Sequence, residues 1–445
     1  MDRAILRCVV ARVILAAALL SLLVGHATAA DSLREQVFQA ADRVESRVIA
    51  WRRDIHQNPE LSNREFRTGN LVAEHLRRLG FDEVRTNVAH TGVVGTLVGG
   101  KPGPVVALRA DMDALPVVEQ VDLPFASKVR TTYNGEEVGV MHACGHDAHT
   151  AILMGVAEVL AGLRDQLPGT VKFLFQPAEE GPPPGEEGGA KLMIKEGALT
   201  EGARPDAIFG LHVWPDTPGV ISYRMGPAMA ASDWLQIRVT GRQTHGSSPW
   251  RGVDPIIAAA QIMTALQLIP SRQLDITKAP SVITVGKITG GVRANIIPDE
   301  VVMEGTIRTF DPEIRAQLLE RLERTVNRVA EANGATAEVS VRSYAPVNYN
   351  DPELTRQMVP SLEAAAGVDR VRVADLVMGA EDFAYFSREI PGLYVFLGVN
   401  REGVGPEEAA PNHSPLFFVN ETALKVGVRT LAGLAIDYLE AGTRN

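Results

Sequence analysis

The chain has 445 residues, 45% of them hydrophobic, and its 54 Asp and Glu against 44 Lys and Arg give a formal charge of −10. That balance excludes the basic footprint of a nucleic-acid binder and is mainly a statement about solubility. The length exceeds what one ordinary core organises, so two domains are expected.

The first thirty residues read as a secretory signal. Arg3, Arg7 and Arg12 precede an apolar run over 13–24, and Ala27-Thr28-Ala29 offers a small-x-small cleavage site. The run is about twelve residues, short of the roughly twenty that span a bilayer. Cleavage would remove Asp2 and the three arginines, bring the charge to −12, and send the protein to a periplasm or the exterior with no membrane attachment. Cys8 lies too early in the run to be a lipidated cysteine, and its loss leaves Cys144 as the single thiol.

Residues 31–79 are helical in pattern, with Val37, Val44, Val48, Trp51 and Ile55 at helical spacing, a break at Asn58-Pro59 and a stop at Gly80. Short apolar runs follow, each ending in polar residues. Residues 105–108 lead to Asp111 and Asp113, 171–175 to Glu179-Glu180, 207–211 to His212, and 393–399 to a loop carrying His413. A helix over about 148–163 separates the first two runs. Apolar strands alternating with helices predict an α/β domain on a largely parallel sheet, where ligands bind beyond the carboxyl ends of the strands. The acidic, Pro- and Gly-rich stretch 181–189 reads as a surface loop beside that site.

Between 228 and 342 the pattern changes. Strands are expected over 232–240, 282–288, 301–308 and 335–341, with helices over 254–268 and 313–332. The order β-α-β-β-α-β is that of a ferredoxin-like unit. The expected domains are therefore the signal at 1–30, a catalytic domain built from 31–227 and 343–445, and an inserted module at 228–342.

The chemistry concentrates in His142-Ala143-Cys144-Gly145-His146-Asp147-Ala148-His149. A lone thiol in an oxidising compartment is a liability unless a cation holds it as thiolate, and one intervening residue lets a turn present Cys144 and His146 to one ion. Sulfur, nitrogen and carboxylate donors together suit zinc, with manganese, cobalt or nickel as alternatives. Glu179 and Glu180 follow a strand. If that segment stays extended, their side chains point apart, one toward metal and one toward a bound water. Bland readings stand beside these: paired glutamates are common on surfaces, His212 among apolar neighbours could be a core histidine, and His413 could be merely exposed. His56, His90 and His245 are further candidates that spacing does not rank.

Six motifs in order carry a resemblance. They are Arg109-Ala110-Asp111-Met112-Asp113-Ala114-Leu115-Pro116, Met141-His142-Ala143-Cys144-Gly145-His146-Asp147, Phe175-Gln176-Pro177-Ala178-Glu179-Glu180, Gly210-Leu211-His212, Gly379-Ala380-Glu381-Asp382-Phe383 and Asn412-His413-Ser414-Pro415. Together they resemble the hippurate hydrolase and indole-acetyl-amino-acid hydrolase branch of the aminoacylase and carboxypeptidase superfamily, from about Trp51 to the C-terminus. The resemblance implies two divalent ions per subunit on Cys144, His146, Glu180, His212 and His413, with Glu179 as general base and Asp113 orienting the site from behind the ligands. Other branches carry a ligand histidine where this chain has Asp111, so it follows the cysteine branch.

The resemblance further implies that the inserted module is a lid and dimerisation domain. His245, in Thr244-His245-Gly246-Ser247-Ser248-Pro249, would reach the partner's site in a homodimer and polarise the scissile carbonyl, while Asn295 and Arg308 would hold the substrate's carboxylate. Glu381 would either meet a substrate ammonium or brace the site. The implied reaction is hydrolysis of an N-acyl amino acid to a carboxylic acid and a free amino acid. A dipeptidase or carboxypeptidase with the same ions is the alternative. A non-catalytic secreted binding protein would be expected to lack a ligand or the base, and none is missing.

Overall fold

Ser32 opens the first helix, α1 (Leu33–Gln57), with a reciprocal capping box: its hydroxyl accepts from the Glu35 amide at 3.3 Å while the Glu35 carboxylate accepts the Ser32 amide at 2.7 Å. The computed structural model describes residues 32–443, so the signal expected over 1–30 lies outside them. α1 buries Val37, Ala41, Val44, Val48 and Ile55 at the spacing of one helical face. After the break at Asn58 the chain forms α2 (Phe66–Arg78).

Six strands then enter one sheet: β1 (Glu83–Val88), β2 (Gly92–Val98), β3 (Lys101–Asp111), β4 (Pro168–Gln176), β5 (Ala207–Trp214) and β6 (Ile221–Tyr223). The crossover between β3 and β4 includes α3 (His146–Ala161), buried along nearly its whole length. The chain next leaves this sheet and builds a second one from β7 (Ala231–Thr240), β8 (Ser281–Gly290), β9 (Glu300–Thr309) and β10 (Thr336–Ala345), with α4 (Pro255–Leu266) and α5 (Pro312–Ala332). It returns through α6 (Pro352–Ala366), β11 (Val371–Val373), β12 (Gly392–Gly398) and α7 (Leu424–Gly442).

The eight-stranded sheet has the order β1-β2-β4-β3-β5-β12-β6-β11. Its centre, β4-β3-β5-β12, is parallel, and antiparallel pairs appear only toward the edges, β1 with β2, β2 with β4 and β12 with β6. This is the expected α/β domain. The central strands read as apolar runs because they are covered on both faces: α1, α3, α6 and α7 share one core with them, and Leu192, Met193, Phe383, Phe386 and Ile390 pack on the other side. Each fully buried aliphatic side chain in these layers contributes about 1.5–3 kcal/mol.

The second sheet is antiparallel in the order β8-β9-β7-β10, which in chain order is the ferredoxin-like arrangement, and it has its own core of Ile237, Val239, Ile262, Met303, Ile307, Leu318, Leu322 and Val326. Asp254 and Asp311 cap its two helices, each accepting two backbone amides ahead of a proline. A short ribbon, Thr244–His245 paired with Ile296–Ile297, is an addition that the sequence pattern did not suggest. No helix among the described residues is long and apolar enough to cross a membrane.

Candidate metal centre

The carboxyl ends of β3, β4 and β5 converge with the loop after β12, and each delivers a polar side chain: Asp111 and Asp113, Glu179 and Glu180, His212, and His413. The remaining donors come from the start of α3. The helix begins at His146, two residues earlier than the pattern indicated, because Gly145 supplies the left-handed turn at its cap (φ 89°). A side chain at Gly145 would also meet Val213 at 2.3 Å. This turn places Cys144 and His146 in one donor group.

The donors fall into overlapping triads. Cys144, His146 and His212 form one and Cys144, Glu180 and His413 another, with all donor atoms of a triad within 4.8 Å of one another. Cys144 Sγ lies 3.5 Å from His212 Nε2, and His413 Nε2 lies 3.0 Å from the Glu180 carboxylate. His212 donates Nδ1–H to the Val213 carbonyl at 2.7 Å, and His146 donates Nδ1–H to Asp113 at 3.2 Å, so both turn Nε2 toward the cluster. His146 Nε2 is buried without a hydrogen-bond partner. Such an orphaned ring nitrogen, once it gives up its proton, fits a cation.

The electrostatics agree. Burial works against a charge on His146, yet Asp111, Asp113 and Glu180 raise it to about 10. Burial pushes the Cys144 thiol well above its ordinary range, with Glu180, Glu179 and Asp111 adding to the push. Burial, then Glu381 and Glu180, likewise raise Glu179. A site this rich in negative charge holds protons when no cation is near, and a bound divalent ion reverses that preference.

The Glu179-Glu180 pair is not extended, contrary to the sequence expectation. Pro177 follows the last residue of β4, Ala178 is left-handed (φ 53°), and the glutamates sit in a turn. The turn brings both carboxylates near His146, with Glu180 also against His413 and Glu179 also against Glu381 and Asp382. Two buried carboxylates fix it. Asp113 accepts the amides of Glu179 and Glu180, each at 3.0 Å, and Glu65 accepts that of Ala178 at 2.9 Å.

Behind the cluster lies a network that spacing could not reveal. Arg109, fully buried, donates to Gln176 at 2.9 Å, Asp111 at 2.7 Å, Glu381 at 2.8 Å and Asp382 at 3.1 Å. Asp111 gives its other oxygen to His149 Nδ1 at 2.5 Å, and His149 Nε2 accepts the Val213 amide at 2.8 Å. Asp111 and His149 also form a donor group with His146, so this pair borders the thiol-centred triad directly.

Glu381 corrects one of the two roles expected for it. One oxygen is taken by Arg109 and the Phe383 amide and the other by the Tyr394 hydroxyl at 2.5 Å, so the Glu381 carboxylate is not free for a substrate ammonium. It braces the site. His56 and His90 also stand elsewhere: His56 bonds Asp147 and Glu119, and His90 meets the Glu187 carbonyl.

A cavity of about 1090 Å³ opens over the cluster, between the two sheets. Cys144, Glu179, Glu180, His212 and His413 line it from below, while Ser232, Trp234, Arg308, Arg342 and Tyr344 line it from the second sheet. Tyr344, which the sequence did not single out, donates its hydroxyl to the Glu179 carbonyl. Arg308 Nη1 is buried with no hydrogen-bond partner, and burial lowers the guanidinium's pKa. His245 and Asn295 are not in this cavity. They stand exposed and adjacent on the short ribbon, with His245 Nδ1 accepting from Ser247.

The model of peptidase family M20/M25/M40 matches residues 107–437, which contain the whole donor cluster. The chain belongs to this family. It is 42% identical over 408 residues to thermostable carboxypeptidase 2 of Saccharolobus solfataricus, an alignment covering 91% of this chain and 99% of that one. It is 38% identical over 398 residues to IAA-amino acid hydrolase ILR1-like 2 of Arabidopsis thaliana, covering 88% and 85%. Among solved structures, the Bacillus subtilis YXEP protein, described as a dinuclear metal binding peptidase from the M20 family, superposes with a TM-score of 0.74 at 36% identity, covering 90% of this chain and 99% of that one. This M20 chain is a metal-dependent hydrolase of amide bonds, and its donor clusters could hold metal ions.

Proposed function

We propose that this M20 hydrolase cleaves N-acyl amino acids to a carboxylic acid and a free amino acid, using two divalent ions on Cys144, His146, Glu180, His212 and His413. The observation that carries the reading is the placement of Glu179: it is a buried carboxylate on the floor of the same cavity, within 4.8 Å of donor atoms of His146 and Glu180 and held against Glu381 and Asp382. Bound ions would supply Lewis acidity and a water acidic enough to react near neutral pH. Glu179 takes the proton of the attacking water and hands it to the leaving nitrogen. The Asp382 amide, 3.3 Å from its Oε1, and Asp113 beneath its own amide keep it in place. Arg308 faces the cavity with an unpaired N–H and receives the substrate's carboxylate.

In this reading the enzyme is a homodimer. His245 and Asn295 lie together on the ribbon outside their own cleft and serve the partner's, His245 by donating to the scissile carbonyl and Asn295 by helping Arg308. The arginine-led apolar leader supports export to a periplasm or the exterior.

The 42% identity to a carboxypeptidase favours a second reading, removal of a C-terminal residue from a peptide. Unblocked dipeptides fit less well, because the oxygens of Glu381 are engaged and Asp382 is taken up by Arg109, Gln176 and the Ala190 amide.

Metal-stripped protein should be assayed for amino acid release from benzoyl-glycine, other N-acyl amino acids, blocked peptides and unblocked dipeptides, with zinc, manganese, cobalt or nickel restored singly. Fastest metal-restored cleavage of single acyl amino acids supports the proposal. A preference for peptides transfers the assignment to the carboxypeptidase, and no cleavage of any of them removes both.

A further inference from the structure

The structure assigns Glu65 as a positioning residue for the proton carrier Glu179, acting through the backbone of the Ala178-Glu179-Glu180 turn, with Thr91 as its anchor. The assignment rests on the reading of Glu179 above.

Glu65 is the N-cap residue of α2, fully buried, and its side chain turns away from the helix. Its Oε1 accepts the Ala178 amide at 2.9 Å and the Asn63 amide at 3.0 Å, and its Oε2 meets the Thr91 hydroxyl at 2.5 Å. Three chain segments far apart in sequence are thus tied at one carboxyl group. The packing around it is close: a side chain at Gly69, in the first turn of α2, would lie 2.5 Å from the Thr91 carbonyl oxygen.

The tie falls where the backbone most needs one. Ala178 and Asn63 both have positive φ, 53° and 60°, a conformation that is strained for a non-glycine residue and persists only when surroundings hold it. Asp113 secures the next two amides, those of Glu179 and Glu180, but nothing in Asp113 fixes the plane of the peptide that precedes them. That plane, with the left-handed Ala178 after it, sets where the turn leaves the strand and so where the Glu179 backbone stands. Without Glu65 the strained Ala178 can relax, and an error of about 1 Å at a reacting group costs on the order of a hundredfold in rate.

Burial, together with the charge of Asp113, lifts the Glu65 carboxyl to about 8. It is therefore mostly the neutral acid near pH 7, with a carbonyl oxygen accepting two amides and a hydroxyl shared with Thr91. Glutamine reproduces that pattern, since its carbonyl accepts and its NH₂ donates. Leucine reproduces the volume and none of the bonds.

Glu65→Gln, Glu65→Leu and Thr91→Val would be compared by amide hydrogen exchange over the 178–180 turn, and by kcat and KM on the best substrate per bound metal. Glu65→Leu is expected to speed exchange of the turn and to lower kcat about tenfold or more with KM changed little. Glu65→Gln should stay within about threefold of wild type in both, and Thr91→Val should fall between. If Glu65→Leu does not fold, Thr91→Val carries the test. Unaltered exchange and kcat in the folded variants overturn the assignment, as does a Glu65→Gln that loses as much as Glu65→Leu. If the wild type cleaves no substrate, the reading of Glu179 fails, and the exchange measurement still decides whether Glu65 holds the turn.

Discussion

Asp113 and His146 are joined through a single carboxylate oxygen that does two things: it accepts the His146 Nδ1–H at 3.2 Å and the Glu179 backbone amide at 3.0 Å. The orientation of a metal-type donor and the position of the candidate base are therefore set by one atom. The second oxygen repeats the pattern with the Glu180 amide and the Ser62 hydroxyl, at 3.0 and 2.8 Å. Removing Asp113 should disturb the donor cluster and the base together.

Asp113→Ala is expected to weaken metal binding by about 10–100-fold, the usual cost of losing a group that orients a ligand, and to lower turnover beyond what restored metal recovers. Metal titration and kcat at saturating metal measure the two effects separately. Unchanged affinity and turnover would show that the turn and His146 hold themselves.

How far the sequence reached depends on the range of the interactions involved. The apolar strands, their polar ends, and the β-α-β-β-α-β insertion were legible because burial on one or two faces imposes a period on the residues themselves. Cys144 and His146 were legible because Gly145 makes their turn locally. The Glu179-Glu180 pair was found, but its extended geometry was misread, since Pro177 ends the strand and Ala178 is held left-handed by a carboxylate 113 positions away. Arg109 stood inside a motif with no role, because its partner Glu381 lies 272 positions off. Spacing carries no information about such contacts, and Glu381 looked available for the same reason.

Arg109 reaches Asp111, Glu381 and Asp382 together, at distances of 2.7 to 3.1 Å, and Asp111 alone of the three also meets histidines. Arg109→Met leaves three buried carboxyl groups without it and should cost about 3–5 kcal/mol, as breaking a buried ion pair does. Arg109→Lys should recover little, because one ammonium cannot copy a planar fork that serves five acceptors, the Tyr394 hydroxyl included. Thermal melts of both variants decide the matter. A melting temperature equal to wild type in either would refute the role of Arg109 as the keystone of the network.

The dimer reading makes a prediction that no single-chain site would satisfy. Glu179→Gln should retain bound metal while losing about 10²–10⁴-fold in turnover, and His245→Ala should also be impaired although its residue lies outside its own cavity. Mixed and reassociated, the two variants form hybrid dimers in which one cleft has both an intact Glu179 and an intact His245 from the other subunit. Activity should reappear on mixing. If the mixture is no more active than its components after exchange of subunits has been verified, His245 does not act across an interface.

His75 offers a pH test away from the metal cluster. Its ring meets Trp51 edge-on at 4.6 Å between centroids, and its Nε2–H donates to the Met154 carbonyl at 3.0 Å. Burial lowers its pKa, outweighing the opposing pull of that carbonyl and of Glu158. The folded chain thus keeps the ring neutral at a pH where the unfolded chain has protonated it. Stability linked to His75 is complete above about pH 6.5 and is lost as pH falls from there toward the folded-state value, at up to about 1.4 kcal/mol per pH unit. His75→Gln retains an N–H donor and does not titrate, so its unfolding free energy should fall less steeply than that of wild type between about pH 6.5 and 5. Denaturant melts across that range measure the difference, and parallel slopes would mean that His75 is protonated as readily in the fold as outside it.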